Sequence, residues 1–250
     1  MLRIPTRIST KFSVEKAHAM QLRLSKRVIK EDLLSKTMRF VAGVDVAYTK
    51  IYSVGAVVVL DYASLSVVET KSALVETRFP YIPTLLSFRE LLPSMRAIAK
   101  LKMQPDVFLV DGQGIAHPYR LGFASHLGLV LDKPTIGVAK SLLCGQVESF
   151  DEEGWAPITD KAETIGAAFA KKGGKPIYVS IGHEVSLETA MNIVMHCTVG
   201  HRIPEPITVA HAIANEEKKK LAKDVDRQIS KAEKSTFNRS SLVVHQRKSR

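Results

Sequence analysis

The order of apolar runs along this 250-residue chain limits its fold more than any other feature. Three β-branched runs, at residues 40–48, 53–60 and 65–75, are separated only by short links. Consecutive strand-like runs with short links predict an antiparallel meander, because antiparallel neighbours can be joined by tight turns. The first half of the chain therefore supplies three strands of one sheet.

After this meander the pattern changes to alternating helices and strands. Helices are predicted at 84–100 and 121–131, with Pro93 kinking or dividing the first, and strands at 107–111 and 135–139. Such alternation calls for parallel strands joined by right-handed crossovers. The same patterns predict further helices and strands, at 13–28, 163–169, 177–181, 186–197 and 206–223. We predict an α/β domain with a mixed sheet flanked by helices, in an order that resembles the ribonuclease H-like fold.

Three acidic residues lie inside these apolar or helical segments. Asp45 interrupts the first strand, Asp111 ends the fourth, and Glu90 lies on the helix that follows the meander. A buried carboxylate is costly unless it is compensated, and a divalent cation with oxygen ligands is one compensation. Neighbouring strands lie about 4.8 Å apart, so Asp45 and Asp111 can share one metal ion. Taken singly, the two aspartates could also be turn residues, and Glu90 a solvated helix residue.

The composition limits partners and location. A net charge of +11 favours polyanionic partners such as nucleic acids, although a basic protein without such a partner has the same balance. Cys144 and Cys197 form no zinc or CxxC spacing, which suits reduced thiols. We see neither a signal peptide nor an apolar run of about 18 residues, so a cytoplasmic protein without a membrane partner, and a monomer, is expected. Residues 224–250 are basic and aperiodic, which predicts a flexible tail after a catalytic domain at 1–223.

Five motifs occur in the order that the endonuclease V family has them. They are VAGVDVAY (41–48), PYIPTLLSFRE (80–90), DGQGIAHP with GFASHLG (111–128), PTIGVAK (134–140) and SIGHEVSLETA (180–190). One such motif is weak support, but five in order are specific, and together they extend over about residues 35–215. The chain therefore resembles endonuclease V, a nuclease that acts at deaminated adenine.

The resemblance implies a catalytic centre that depends on Mg²⁺, with Mn²⁺ as a substitute. Asp45, Asp111 and Glu90 match the metal ligands. His211 matches a catalytic group, either a general base or a ligand near a second ion, and Lys140 matches a cation that holds the phosphate or the nucleophilic water. From pattern alone, His211 could be a packed helix histidine and Lys140 a surface lysine.

The resemblance also implies a site for a flipped base. The stiff loop formed by Pro80, Tyr81, Ile82 and Pro83 corresponds to a wedge that enters the base stack. The positions that surround the extruded base in the family are occupied here by Leu86, Gly112 and Phe123, and His117 matches a family histidine near the active site that is expected to contact the substrate. Three residues depart from the common family pattern, namely Thr84 in place of Gly and Tyr119 and Thr208 in place of Arg.

The activity implied is nicking of DNA that contains deoxyinosine, at the second phosphodiester 3′ to the lesion, with 3′-hydroxyl and 5′-phosphate products. An inosine-specific endoribonuclease is an alternative, since no contact to a 2′-hydroxyl can be identified in the sequence. A non-catalytic nucleic-acid-binding module is another, but it would have no need of Asp45, Glu90, Asp111 and His211 together. A junction or transposase-type nuclease shares the acidic residues but lacks the PYIP motif.

Overall fold

The computed structural model describes residues 13–35, 37–171, 174–221 and 223. The strands are β1 Phe40–Tyr48, β2 Tyr52–Asp61, β3 Val67–Glu76, β4 Val107–Asp111, β5 Thr135–Ala139, β6 Gln146–Val147, β7 Trp155–Asp160, β8 Glu163–Phe169 and β9 Ile177–His183. The helices are α1 Val14–Ser25, α2 Leu86–Ile98, α3 Phe123–Leu131, α4 Leu187–Cys197 and, at residues 205–221, α5.

These strands form one mixed sheet in the order β3-β2-β1-β4-β5-β9-β8-β7-β6. The meander β1–β2–β3 is antiparallel, as predicted, and β1, β4 and β5 are parallel. Val44 of β1 pairs with Val110 of β4, so the next residues, Asp45 and Asp111, lie side by side at one edge of the sheet. The predicted mixed α/β architecture, with strand one beside strand four, is confirmed.

Two apolar cores cover opposite faces of the sheet. Alternate residues of β1 and β4, such as Val41 and Leu109, pack toward α4 and α5, while Ala42 and Val110 pack toward α2 and α3. By the same alternation the side chains of Asp45 and Asp111 lie on the α5 face. A Cβ on Gly43 would lie 1.9 Å from the Pro206 carbonyl oxygen, so this glycine lets α5 approach β1 closely.

Some elements differ from the sequence predictions. Helix α2 is not divided at Pro93, which is buried with its carbonyl over Gly55 of β2. Strands β6 and β7 were not predicted, and β7 contains Pro157. In the described part of the chain, we find no helix with the length and apolarity that a bilayer crossing requires. The predicted tail at 224–250 lies outside the described residues.

Candidate active site

Asp45, Asp111 and His211 converge at the edge of the sheet where β1 and β4 end. One ligand atom from each lies within 4.8 Å of the others. Helix α5 brings in His211, whose Nδ1 lies 2.7 Å from Asp45 Oδ2. Asn215, one turn further along, faces His211 Nε2 with its amide nitrogen at 3.1 Å. Nε2 therefore accepts a hydrogen bond, and Nδ1 carries the proton that is donated to Asp45.

Lys140 follows β5 and reaches the same edge. Its ammonium group forms an ion pair and hydrogen bond with Asp111 Oδ2. Burial raises the pKa of Asp111, and the neighbouring Asp45 raises it further, whereas Lys140 lowers it. The lysine thus offsets part of the negative charge that the sheet gathers at this point.

Glu90 enters from the opposite face on α2 and is almost fully buried, with 7% of its surface exposed. The Tyr48 hydroxyl donates to Glu90 Oε1 at 2.9 Å, and the Arg89 guanidinium lies 4.2 Å from the centre of the Tyr48 ring. Burial raises the pKa of Glu90 to about 8, and the charges of Asp45 and Asp111 act in the same direction. Removal from water and repulsion between carboxylates together make Glu90 hold its proton.

This donor set fits a hard divalent cation. Asp45 and Asp111 lie with His211 in one cluster, Lys140 pairs with Asp111, and the buried Glu90 carboxyl group is close enough to respond to both aspartates. Carboxylate oxygens are the ligands of Mg²⁺ and Mn²⁺, whereas sites for softer metals use thiolates or several imidazoles. Burial is the largest cause of the raised pKa of Glu90, and a bound cation would offset the repulsion by Asp45 and Asp111 that adds to it.

A cavity of about 300 Å³ opens directly beside these carboxylates, and Asp111 and Lys140 form part of its wall. Six of the eight residues predicted to bind the substrate line it, namely Tyr81, Ile82, Leu86, Gly112, His117 and Phe123. Pro80 and Pro83 are exposed on the loop at its mouth, where Tyr81 is 67% exposed. Thr84, singled out in the sequence as a departure from the family pattern, lines it as well. The remaining lining residues had no predicted role in substrate binding or catalysis and are Ser87, Gln113, Gly122, Ala139, Ser141 and Leu143.

Next to this cavity, main chain packs closely on main chain. A Cβ on Gly137 of β5 would lie 2.4 Å from Gly114 N, and one on Gly114 would lie 2.0 Å from Ile181 O. A Cβ on Gly112 would meet the Phe123 side chain at 3.3 Å. The loop that follows Asp111 is therefore pressed against β5 and β9, and its residues Gly112 and Gln113 line the cavity.

Helix α1 supports the rim of the cavity through Thr84. Thr84 has a left-handed backbone with φ of 69°, and its hydroxyl lies 3.0 Å from His18 Nε2. Its carbonyl accepts hydrogen bonds from Gln21 Nε2 at 2.8 Å and from His117 Nε2 at 3.0 Å. Burial lowers the pKa of His117 to about 4, which keeps the ring neutral. The supporting residues His18 and Gln21 lie more than sixty positions before Thr84 in the sequence, so no local pattern indicated them.

The other two departures from the family pattern, Tyr119 and Thr208, do not line the cavity. Tyr119 stacks on His18 with ring centres 4.1 Å apart. Arg120, next to it, pairs with Asp160 and Glu163 instead of lining the cavity. The Thr208 hydroxyl donates to Ile203 O at 3.3 Å.

The chain is similar to known proteins over most of its length. The family model described as endonuclease V matches residues 22–212. The endonuclease V of Thermofilum pendens is 48% identical over 210 residues, which are 83% of this chain and 90% of that relative.

The chain is also similar, over most of its length, to solved structures of endonuclease V. A crystal structure of endonuclease V from Streptomyces avermitilis is 37% identical, with a TM-score of 0.80 over 86% of this chain and 97% of that one. A second, from Ciona intestinalis, is 33% identical with a TM-score of 0.74 over 83% of this chain and 98% of that one. The Ciona protein is in complex with a 24mer DNA that contains an inosine followed by a ribo-adenosine.

Proposed function

The chain belongs to the endonuclease V family of metal-dependent nucleases, and from this premise we propose that it nicks DNA at deoxyinosine. The cut is at the second phosphodiester bond 3′ to the lesion and leaves a 3′-hydroxyl and a 5′-phosphate. One observation carries the proposal: Asp111 belongs both to the carboxylate cluster and to the wall of the cavity, and its partner Lys140 lines the same wall. A base held in the cavity is therefore directly beside the groups that would perform hydrolysis.

Asp45, Asp111 and Glu90 would hold Mg²⁺, and Mn²⁺ is expected to substitute. When bound, the cation stabilises the charge that develops on the phosphate oxygens in the transition state. Lys140, the cation already present beside Asp111, binds a phosphate oxygen and adds to that stabilisation.

His211 positions Asp45 and serves as general base. Its Nδ1–H donates to Asp45, so the lone pair of the neutral ring is on Nε2. The side chain is 55% exposed, so Nε2 can take a proton from the attacking water in exchange for the hydrogen bond from Asn215. The proton moves from the water oxygen to Nε2 as the new oxygen–phosphorus bond forms. At the same time the bond between phosphorus and the 3′ oxygen breaks, and that oxygen takes a proton from solvent to become the 3′-hydroxyl.

Recognition combines a wedge with a closely fitting cavity. Hypoxanthine pairs weakly, so its extrusion costs less than that of a normal base. Tyr81, exposed on its proline-flanked loop, fills the gap in the stack, while Leu86 and Phe123 contact the faces of the extruded base. The absence of a side chain at Gly112 lets the base approach the main chain.

RNA that contains inosine is a second candidate substrate. The Ciona complex supports it, because the nucleotide after the inosine in that ligand is a ribonucleotide. A protein can distinguish the two substrates only by contacts that depend on the 2′-hydroxyl.

Matched DNA and RNA oligonucleotides with one inosine test the proposal. We expect the wild-type chain to nick the DNA at the second phosphodiester 3′ to the inosine, only with Mg²⁺ or Mn²⁺, and to leave the undamaged strand intact. The Asp45→Asn variant is the control for contaminating nucleases. Binding without cutting would favour the non-catalytic alternative, and cutting of the RNA alone would favour the endoribonuclease.

A further inference from the structure

A second concave surface lies at the same edge of the sheet as the carboxylates, on the face that carries α4 and α5. It is a cavity of about 230 Å³ between the end of β8, the start of β9 and the loop before α5. Its charged and polar lining consists of Lys171, Lys175, His201 and Arg202, and we name these four residues the basic cluster.

The basic cluster carries positive charge that the protein does not neutralise. All four residues are exposed, and no carboxylate among the described residues lines the cavity. Within the described ranges, none of the four forms a salt bridge. Elsewhere on the surface, lysines such as Lys30 and Lys220 do pair with carboxylates. Lys171, Lys175 and Arg202 thus bring three positive charges to one concavity, and Lys171 Nζ donates only to a main-chain oxygen, Thr198 O, at 2.8 Å. Cations arranged in this way are suited to a polyanion.

Arg202 joins the basic cluster to the candidate active site. Its Nε donates to Lys175 O at 3.0 Å, and its Nη2 donates to Lys140 O at 2.9 Å and also to Pro176 O. A single guanidinium thus spans the main chains of Lys140, beside Asp111, and Lys175, in the basic cluster. The main chains of the two lysines are therefore held next to each other by one side chain.

The direction of the strand follows from the two faces of the sheet. The base cavity is built by α2, α3 and the loops beside them, whereas the basic cluster lies on the α4 and α5 face. Asp45, Asp111 and Lys140 lie between the two. If the base is in its cavity and the cut is 3′ to it, the strand reaches the basic cluster only after it has passed the cut.

We propose that Lys171, Lys175, His201 and Arg202 form a phosphate-binding subsite for the nucleic-acid strand on the 3′ side of the nick. This inference rests on the proposed function for its polarity. Such contacts hold the backbone in register and carry no sequence information, so the subsite adds affinity without choosing the lesion.

The test removes two charges from the basic cluster and two from the far edge of the sheet. Lys171→Gln/Lys175→Gln is compared with Lys102→Gln/Lys133→Gln, whose lysines are also exposed but precede β4 and β5 at the opposite edge. Binding to an inosine duplex is measured over a range of salt with the cation withheld by a chelator, so that the strand stays intact. Arg202 is left unchanged because it also holds Lys140.

Two lost phosphate contacts should reduce the slope of log affinity against log salt by about 1.4 to 1.8. The ratio of the wild-type affinity to that of the basic-cluster variant should then fall roughly tenfold between about 50 and 200 mM salt. The control variant should change the slope far less. The difference in slope between the wild type and the basic-cluster variant should persist when the DNA duplex is shortened on the 5′ side of the inosine. It should disappear when the duplex ends just beyond the nick on the 3′ side.

Equal slopes for the wild type and the basic-cluster variant, or an equal loss in the control, would overturn the subsite. A difference that survives on the short 3′ arm would overturn its assignment to the 3′ side. Nicking of the same duplex by the wild type with Mg²⁺ is measured in parallel. Failure there refutes the proposed function, whereas normal nicking with an unchanged slope refutes the subsite alone.

Discussion

Thr84 occupies a backbone conformation that suits glycine. The effect of this conformation can be measured as a change in the free energy of unfolding when Thr84 is replaced. Its φ is 69°, a left-handed value that is unfavourable for a β-branched side chain. We therefore expect replacement by glycine to release strain of about 1–2 kcal/mol. The same change removes the hydrogen bond between the Thr84 hydroxyl and His18, which contributes about 0.5–1.5 kcal/mol. The free energy of unfolding of Thr84→Gly should therefore be close to that of the wild type.

Thr84→Ala is the matched control, because it loses the same hydrogen bond but keeps a Cβ in the left-handed region. Glycine gains about 1–2 kcal/mol from relief of strain and loses about 0.4–1 kcal/mol through the greater freedom of its unfolded chain. The glycine variant should thus be more stable than the alanine variant by roughly 0.5–1 kcal/mol, or about 1–4 °C in Tm.

Urea unfolding of the three proteins at one temperature, with the cation withheld, measures this order. The m-values should agree, so that differences in midpoint report stability. An alanine variant as stable as the glycine variant, or more so, would refute the argument that Thr84 is strained. Both variants should nick at the same phosphodiester as the wild type, since neither touches the carboxylates.

Four further outcomes follow from the site. Asp45→Asn should abolish nicking but keep lesion binding, because the amide preserves shape and weakens cation coordination; near-normal nicking would contradict its role. Since the pKa of Glu90 is raised from 4.5 to about 8, the cation-free fold should lose stability as the pH rises between these values. Glu90→Gln should abolish that loss of unfolding free energy, which is on the order of a few kcal/mol, when unfolding is measured at several pH values. If the unfolding free energies of the wild type and the variant change with pH in the same way, the raised pKa of Glu90 is contradicted. Tyr81→Ala should weaken binding to inosine duplexes more than to undamaged ones, because stacking contributes about 1–3 kcal/mol per base; equal losses would leave Tyr81 as a packing residue. Deletion of residues 224–250 should flatten the salt dependence of binding without moving the nick; a moved nick would show that the tail positions the substrate.

The buried centre of the fold could be predicted from the sequence, while its far edge could not. The predicted limits of β1, β4 and β5 match the structure to the residue, because each is a continuous apolar run covered on both faces. Strand β6 has only two residues, too few for a pattern. Strand β7 contains Pro157, which argues against a strand in any local scheme.

In the candidate site, too, some residues could be predicted from the sequence and others could not. Motifs identified Asp45 and Asp111, and the predicted strand order placed them together. The support of Thr84 by α1 was not predictable, because His18 and Gln21 belong to a different helix and reach the rim only through the tertiary fold. The length of a side chain and its orientation on a distant element carry no periodic signal.

The tight main-chain packing next to the base cavity divides the site into positions that can and cannot change. At Gly114 even a methyl group would collide with the carbonyl oxygen of Ile181 in β9, and at Gly137 of β5 it would collide with the backbone of the loop that follows Asp111. In a mutant library aimed at admitting a different damaged base, substitutions at these two glycines would displace the loop that contributes Gly112 and Gln113 to the cavity wall. Useful diversity is expected instead at wall side chains that are not fully buried, such as Leu86 and Leu143, and not at Phe123, which belongs to the apolar core.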